Sequence, residues 1–152
     1  MVKEPTELEK LLNDFDTVSL DTVIFIYLLE GENRYSEFLK KLFSFLELNN
    51  KKISFSALLL VELLVRPYQN NDLDIAKEWM SYFKMTPNIE IIDLTPTIAV
   101  DAAFLRAKYN IKTPDSIHLA TAMQKSEAVL LTNDSALKKI EEVKVLCLKD
   151  FT

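Results

Sequence analysis

Four acids, Asp21, Glu62, Asp115 and Asp134, are placed where they can act together. Asp21 breaks the apolar run from Val18 to Leu29. An acid in such surroundings is rarely buried without a partner, with an Asx-turn or a helix cap as the bland alternative. Glu62 interrupts Ala57-Leu-Leu-Leu-Val-Glu-Leu-Leu-Val65, a segment apolar on every side and expected to be buried. An uncompensated carboxylate there costs several kcal/mol or takes up a proton. Arg66, one helical turn later, is one source of compensation. A cation held jointly with other acids is the other, and it also accounts for the gathering of the acids, so it is preferred. Asp115 and Asp134, taken singly, are equally well explained by a helix dipole and a helix cap.

Few other groups are available for chemistry. The chain has one cysteine (Cys147), one histidine (His118) and one glycine (Gly31). That excludes an internal disulfide framework, thiolate zinc clusters, a histidine cluster and the glycine-rich loops that cradle phosphates. Oxygen-only donors suit a hard cation, Mg2+ or Mn2+, with one or two ions per site. A bound ion of this kind lowers the pKa of a water and neutralises charge on a phosphate, so phosphoryl or phosphodiester chemistry is expected.

The elements that must position these acids alternate. Periodicity predicts strands over Thr17–Leu20, Lys52–Phe55, Ile89–Asp93, Val129–Leu131 and Lys144–Leu148. Between them lie helices from Thr22 to Glu30, Tyr35 to Leu48, Ser56 to Arg66, Asp72 to Lys84, Thr95 to Tyr109 and Thr113 to about Lys125, with a short one over Ser135–Ile140. Gly31 reads as a C-cap, Pro67 as a helix stop, and Thr95-Pro96 and Thr113-Pro114 as helix starts. In the helix after Asp72, Leu73, Ala76, Met80 and Phe83 are expected to point inward. Strands spaced by helices imply a parallel sheet covered on both faces, in one α/β domain spanning residues 1–152. In such sheets the site forms at the carboxyl ends of the strands. Asp21 ends the first strand, Asp134 follows the fourth, Asp115 opens the preceding helix, and Glu62 lies two turns into the helix after the second strand.

A chain of 152 residues, 49% hydrophobic and 27% charged, is long enough and apolar enough for a substantial core. Its apolar run near the N-terminus is too short to span a membrane, and a cytoplasmic location is expected. The net charge of −5 weighs against a nucleic-acid partner, since phosphate binding favours Lys and Arg. That weight falls if the acids surround divalent cations.

At these residues the chain resembles the PIN-domain ribonucleases, most of all the VapC-like toxins of bacterial and archaeal type II toxin–antitoxin pairs. The resembling pieces are Leu20-Asp21-Thr22 before Ile-Tyr-Leu-Leu-Glu-Gly, Ile53-Ser-Phe-Ser leading to Glu62-Leu-Leu, Lys112-Thr-Pro-Asp115-Ser-Ile-His-Leu-Ala-Thr-Ala, and Leu131-Thr-Asn-Asp134. Each is short and degenerate, but their order and spacing over about residues 17 to 148 are specific. The resemblance implies a three-layer domain with a five-stranded parallel sheet, and a metal-activated water attacking phosphorus in line. It makes Asp21, Glu62, Asp115 and Asp134 the metal-binding and catalytic acids, with Thr132 and Thr22 in support. It also implies an RNA substrate, homodimers and a small antitoxin as inhibitor. Val23 stands where many members carry Asn or Ser.

Arg66, Arg106 and Lys112 are candidates for phosphate contacts beside the acids. His118, one turn after Asp115, is read as packing. Phe43 and Phe45 fall off the stripe of their helix, which suggests either a partner contact or deep burial. Competing readings are a nuclease of RNA maturation or structured DNA, and a catalytically silent PIN-like module that binds RNA or protein. An aspartyl phosphatase lacks its second acid, because Val23 occupies that position.

Overall fold

The sheet is built outward from its first strand. In the computed structural model, which describes Glu4 and residues 6–152, β1 (Thr17–Leu20) lies at the centre of five parallel strands. The order is β3 (Ile89–Ile92), β2 (Lys52–Ser56), β1, β4 (Val129–Thr132), β5 (Lys144–Cys147). Ser19 is in register with Ser54 of β2 and Leu130 of β4. The Ser19 and Ser54 hydroxyls meet at 2.8 Å, which satisfies two buried polar groups in a fully buried part of the sheet. All four residues of β1 and of β4 are buried, as expected for central strands covered on both faces.

The helices supply those covers. The first, α1 (Glu7–Leu12), has no counterpart in the sequence expectations; a reciprocal capping box between Thr6 and Glu9 starts it. Next come α2 (Thr22–Glu30), α3 (Ser36–Leu48), α4 (Leu58–Gln69), α5 (Leu73–Met85), α6 (Pro96–Tyr109) and α7 (Thr113–Met123). A 3-10 turn, Ser135–Lys139, stands where a short helix is expected. One face of the sheet carries Phe25, Phe43, Phe55 and Phe83, with Phe25 edge-on to the other three. Phe43 therefore belongs to the core. The opposite face carries Ile98, Leu105, Leu119 and Leu130.

Three local expectations need correction. Pro67 does not stop α4: the helix runs on to Gln69, and the Asn70 amide still bonds the Arg66 carbonyl. A proline deletes one donor, and so near the helix end the loss is confined to the final turns. Leu73 is 56% exposed, because it is the first residue of α5 and lies at the rim, whereas Ala76 and Phe83 are buried. The helix α4 is not buried all round. It covers the sheet with Leu59, Leu63 and Pro67 and leaves Val61, Val65 and Tyr68 in solvent.

The single glycine, Gly31, closes α2 in the left-handed conformation. Among the described residues the other left-handed positions are occupied by Asn50, Asn71, Asn110 and Glu127. Asparagine tolerates that region through local hydrogen bonding, and Asn110 there ends α6 and turns the chain toward α7.

Candidate active site

Asp21 follows the last residue of β1 and caps α2. Its amide bonds the Leu131 carbonyl across the sheet, and its Oδ1 accepts the Thr22 amide at 2.7 Å. The other oxygen, Oδ2, accepts the hydroxyl of Thr132, the fully buried last residue of β4, at 2.8 Å. Thr132 Oγ1 in turn accepts the Asp134 amide at 3.1 Å. One threonine therefore ties the first acid to the backbone of the last. Asp134 Oδ1 also caps the 3-10 turn through the Ala136 amide, so its capping role is real.

Glu62 lies in the second turn of α4. Its side chain is 33% exposed, so the expectation of a carboxylate submerged in an apolar helix fails. The exposed face of α4 is the reason. Arg66 does not compensate it; its guanidinium lies 3.5 Å from Glu30. Two other donors converge on Glu62 Oε1: the Thr22 hydroxyl at 2.8 Å and His118 Nε2 at 2.7 Å. The His118 bond holds the Glu62 carboxyl below the usual carboxylate range, against burial, with Thr22 adding to the lowering.

Asp115, in the first turn of α7, is in the opposite condition. Burial pushes its carboxyl up, and the neighbouring Asp21 and Asp134 carboxylates push it further; Glu62 adds a little, and His118 opposes. Those influences bring all four predicted acids into one electrostatic neighbourhood at the carboxyl edge of the sheet. Among the described residues none of the four is paired with a lysine or arginine.

The remaining predicted residues have more modest settings. Arg106 Nε donates to the Ile111 carbonyl at 3.2 Å and braces the turn before α7. Lys112 is exposed at the N-cap position of that helix, three residues from Asp115. His118 is only 2% exposed, so the packing reading is correct about burial. It misses the hydrogen bonds to Glu62 and, at 3.2 Å, to Thr22. The available signal was the one-turn spacing from Asp115, which sends both side chains to one side of α7.

The donor set suits a hard divalent cation: neighbouring carboxylates, the pKa of one raised by burial and by the others, with no lysine or arginine paired to them among the described residues. Among the described residues, no group of three or more acidic, histidine or cysteine side chains is placed to hold a metal ion. Like-charged carboxylates stay apart until a cation joins them, and Mg2+ keeps several of its waters. The fit is one of donor chemistry, carboxylate oxygens for a hard cation.

A doubly covered parallel sheet with acids at its carboxyl edge defines the class, a three-layer α/β domain with an acidic edge. Residues 18–143 match the PIN domain model, and the chain belongs to the PIN domain family, whose members are nucleases that generally use divalent metal ions. Similar solved structures include VapBC2 from Rickettsia felis bound to a promoter DNA fragment, with 20% identity, TM-score 0.68, and 86% of this chain and 98% of that one covered. A toxin–antitoxin complex from Klebsiella pneumoniae has 25% identity, TM-score 0.62, and coverage of 85% and 95%. DNA-bound VapBC from Salmonella typhimurium has 16% identity, TM-score 0.68, and coverage of 86% and 97%. No curated protein sequence matches the chain. No helix among the described residues is long and apolar enough to cross a membrane.

Proposed function

We propose that this protein is a metal-dependent endoribonuclease that hydrolyses RNA phosphodiester bonds, acting in the cytoplasm as the toxin of a toxin–antitoxin pair. The observation that carries the reading is the carboxylate cluster of Asp21, Glu62, Asp115 and Asp134, without lysine or arginine partners among the described residues, in a PIN fold. Support for the toxin role comes from neighbours whose structures are toxin–antitoxin complexes.

In this reading Asp21, Glu62, Asp115 and Asp134 hold one or two Mg2+ or Mn2+ ions. When bound, the metal supplies an activated water and neutralises charge developing on the phosphate. Thr132 orients Asp21 through the bond to Oδ2 and keeps the Asp134 backbone in place. Thr22 fixes Glu62 from the first turn of α2. Lys112, exposed beside Asp115 and in no ion pair among the described residues, can meet an RNA phosphate. Arg66 and Arg106 are engaged by Glu30 and Ile111, which makes them weaker candidates. A small antitoxin and a second copy of the chain are the partners this role requires. The exposed strip of Val61, Val65 and Tyr68 on α4 has the apolar character such a contact needs.

Incubation of the purified chain with structured RNA and with flapped DNA, each with Mg2+, with Mn2+ and with EDTA, tests the reading. Metal-dependent cleavage of RNA is expected. Cleavage confined to flapped DNA reassigns the substrate, and RNA cleavage that persists in EDTA refutes the metal mechanism. Metal also stabilises the fold, by about 2.7 kcal/mol when its concentration is a hundred times Kd, which thermal denaturation reads directly.

A further inference from the structure

We propose that His118 is a positioning residue that commits one oxygen of Glu62, leaving the other as the single oxygen offered to the metal. The inference rests on the metal-dependent reading above and assigns a role to a side chain outside the four acids.

His118 Nε2 lies 2.7 Å from Glu62 Oε1, 3.2 Å from Thr22 Oγ1 and 3.9 Å from Asp21 Oδ1. Its side chain is 1% exposed, and its Nδ1 is buried without a partner. The ring hydrogen therefore belongs on Nε2, facing a carboxylate; on Nδ1 it would be a buried donor with nothing to accept it. Thr22 donates its hydroxyl hydrogen to the same Oε1, at 2.8 Å. Two donors thus converge on one oxygen, and among the described residues Oε2 accepts none.

The geometry joins three helices at one point. Thr22 follows Asp21 at the start of α2, Glu62 rises from α4, and His118 projects from α7 one turn beyond Asp115. A glutamate one-third exposed has several rotamers within reach, and holding it in one of them removes an ordering cost that metal binding would otherwise carry. Partners of this kind, which orient a ligand without touching the metal, typically change affinity or activity by about 10–100-fold.

Two variants of the full chain separate positioning from packing. His118→Leu removes the donor while keeping an apolar side chain of similar reach. His118→Gln returns an N–H close to the place of Nε2. We expect His118→Leu to weaken Mn2+ binding, measured by calorimetric titration without RNA, by about 10–100-fold. Its kcat on RNA falls in step while KM for RNA holds, and His118→Gln recovers most of the Mn2+ affinity. Wild-type Mn2+ affinity in His118→Leu, even with a lowered Tm, assigns the residue to packing and overturns the proposal. If the leucine variant fails to fold, the ring itself decides: long-range proton–nitrogen NMR of the wild-type chain must find the hydrogen on Nε2, and a hydrogen on Nδ1 overturns the proposal. A wild-type chain that binds Mn2+ but leaves RNA intact refutes the ribonuclease reading alone, and the Mn2+ titration still judges His118. A wild-type chain that binds no Mn2+ refutes both.

Discussion

Asp21 and Asp115 belong to one carboxylate cluster, yet the chain treats them in opposite ways. Both oxygens of Asp21 accept short hydrogen bonds, one from the amide at the start of α2 and one from the buried hydroxyl of Thr132. Asp115 accepts none among the described residues, and burial together with the adjacent carboxylates raises its pKa. The first acid is fixed by the sheet; the second is tolerated at an electrostatic cost. An arrangement built only for stability would relieve Asp115 with a lysine or an amide. Leaving it unrelieved is what a cation-binding site requires.

Carboxamides at the two positions give the strongest test of that contrast. Asp21→Asn and Asp115→Asn are both expected to lower kcat/KM on RNA by about a thousandfold, about 4 kcal/mol of transition-state stabilisation. Their stabilities should part company. Asp21→Asn weakens the charge-assisted bonds from Thr22 and Thr132 and lowers Tm. Asp115→Asn removes repulsion and raises the Tm of the metal-free protein, at about 2–4 °C for each kcal/mol in a chain of this size. A fall in Tm for both would erase the distinction.

A smaller effect is expected at the threonine linking the first acid to the last. Thr132→Val keeps the shape of a buried residue but removes the donor to Asp21 Oδ2 and the acceptor for the Asp134 amide. Activity should fall about 10–100-fold, as for other orienting partners of metal ligands. Activity equal to wild type would mean that Asp21 needs no such support.

The smallest effect is the dependence of metal-free stability on pH, read as Tm in EDTA. The raised pKa of Asp115 means that the folded state holds its proton longer than the unfolded state does. Its contribution is therefore neutral below the ordinary carboxylate pKa. It becomes a penalty as pH rises through that value and is complete above the raised one. Glu62, lowered by His118, works the other way: its stabilisation is present above the ordinary carboxylate pKa and is lost as pH falls through the lowered one. The Tm advantage of Asp115→Asn should thus be absent in strong acid and fully developed once the pH exceeds the raised pKa. A constant advantage across that range would point to packing.

Much of this was written in local patterns. Val18-Ser-Leu-Asp21 and Val129-Leu-Leu-Thr-Asn-Asp134 each show a buried strand with an acid one or two residues after its end, and Thr95-Pro96 marks a helix start by mechanisms confined to a few residues. Relations between distant elements were less legible. Apolar residues around α4 implied complete burial, but which side faces the sheet is decided by its neighbours, and Val61 and Val65 came out in solvent. Arg66 lies at the favoured spacing from Glu62, yet Glu30, from another helix, takes it. The role of His118 depends on α4 and α7 approaching each other across 56 residues of sequence, a distance that no window along the chain can span.

The bond between Thr132 and Asp21 joins residues 111 positions apart. During synthesis β1 can pair with β2 as soon as that strand follows it, but its other neighbour, β4, is made only after both β2 and β3. Asp21 must therefore wait for the 111 residues up to Thr132 before its partner arrives, and Asp115 and Asp134 are delivered at about the same stage. A nascent fragment ending before residue 129 lacks β4 and its hydroxyl, so Asp21 cannot take up its held position until that strand has been made.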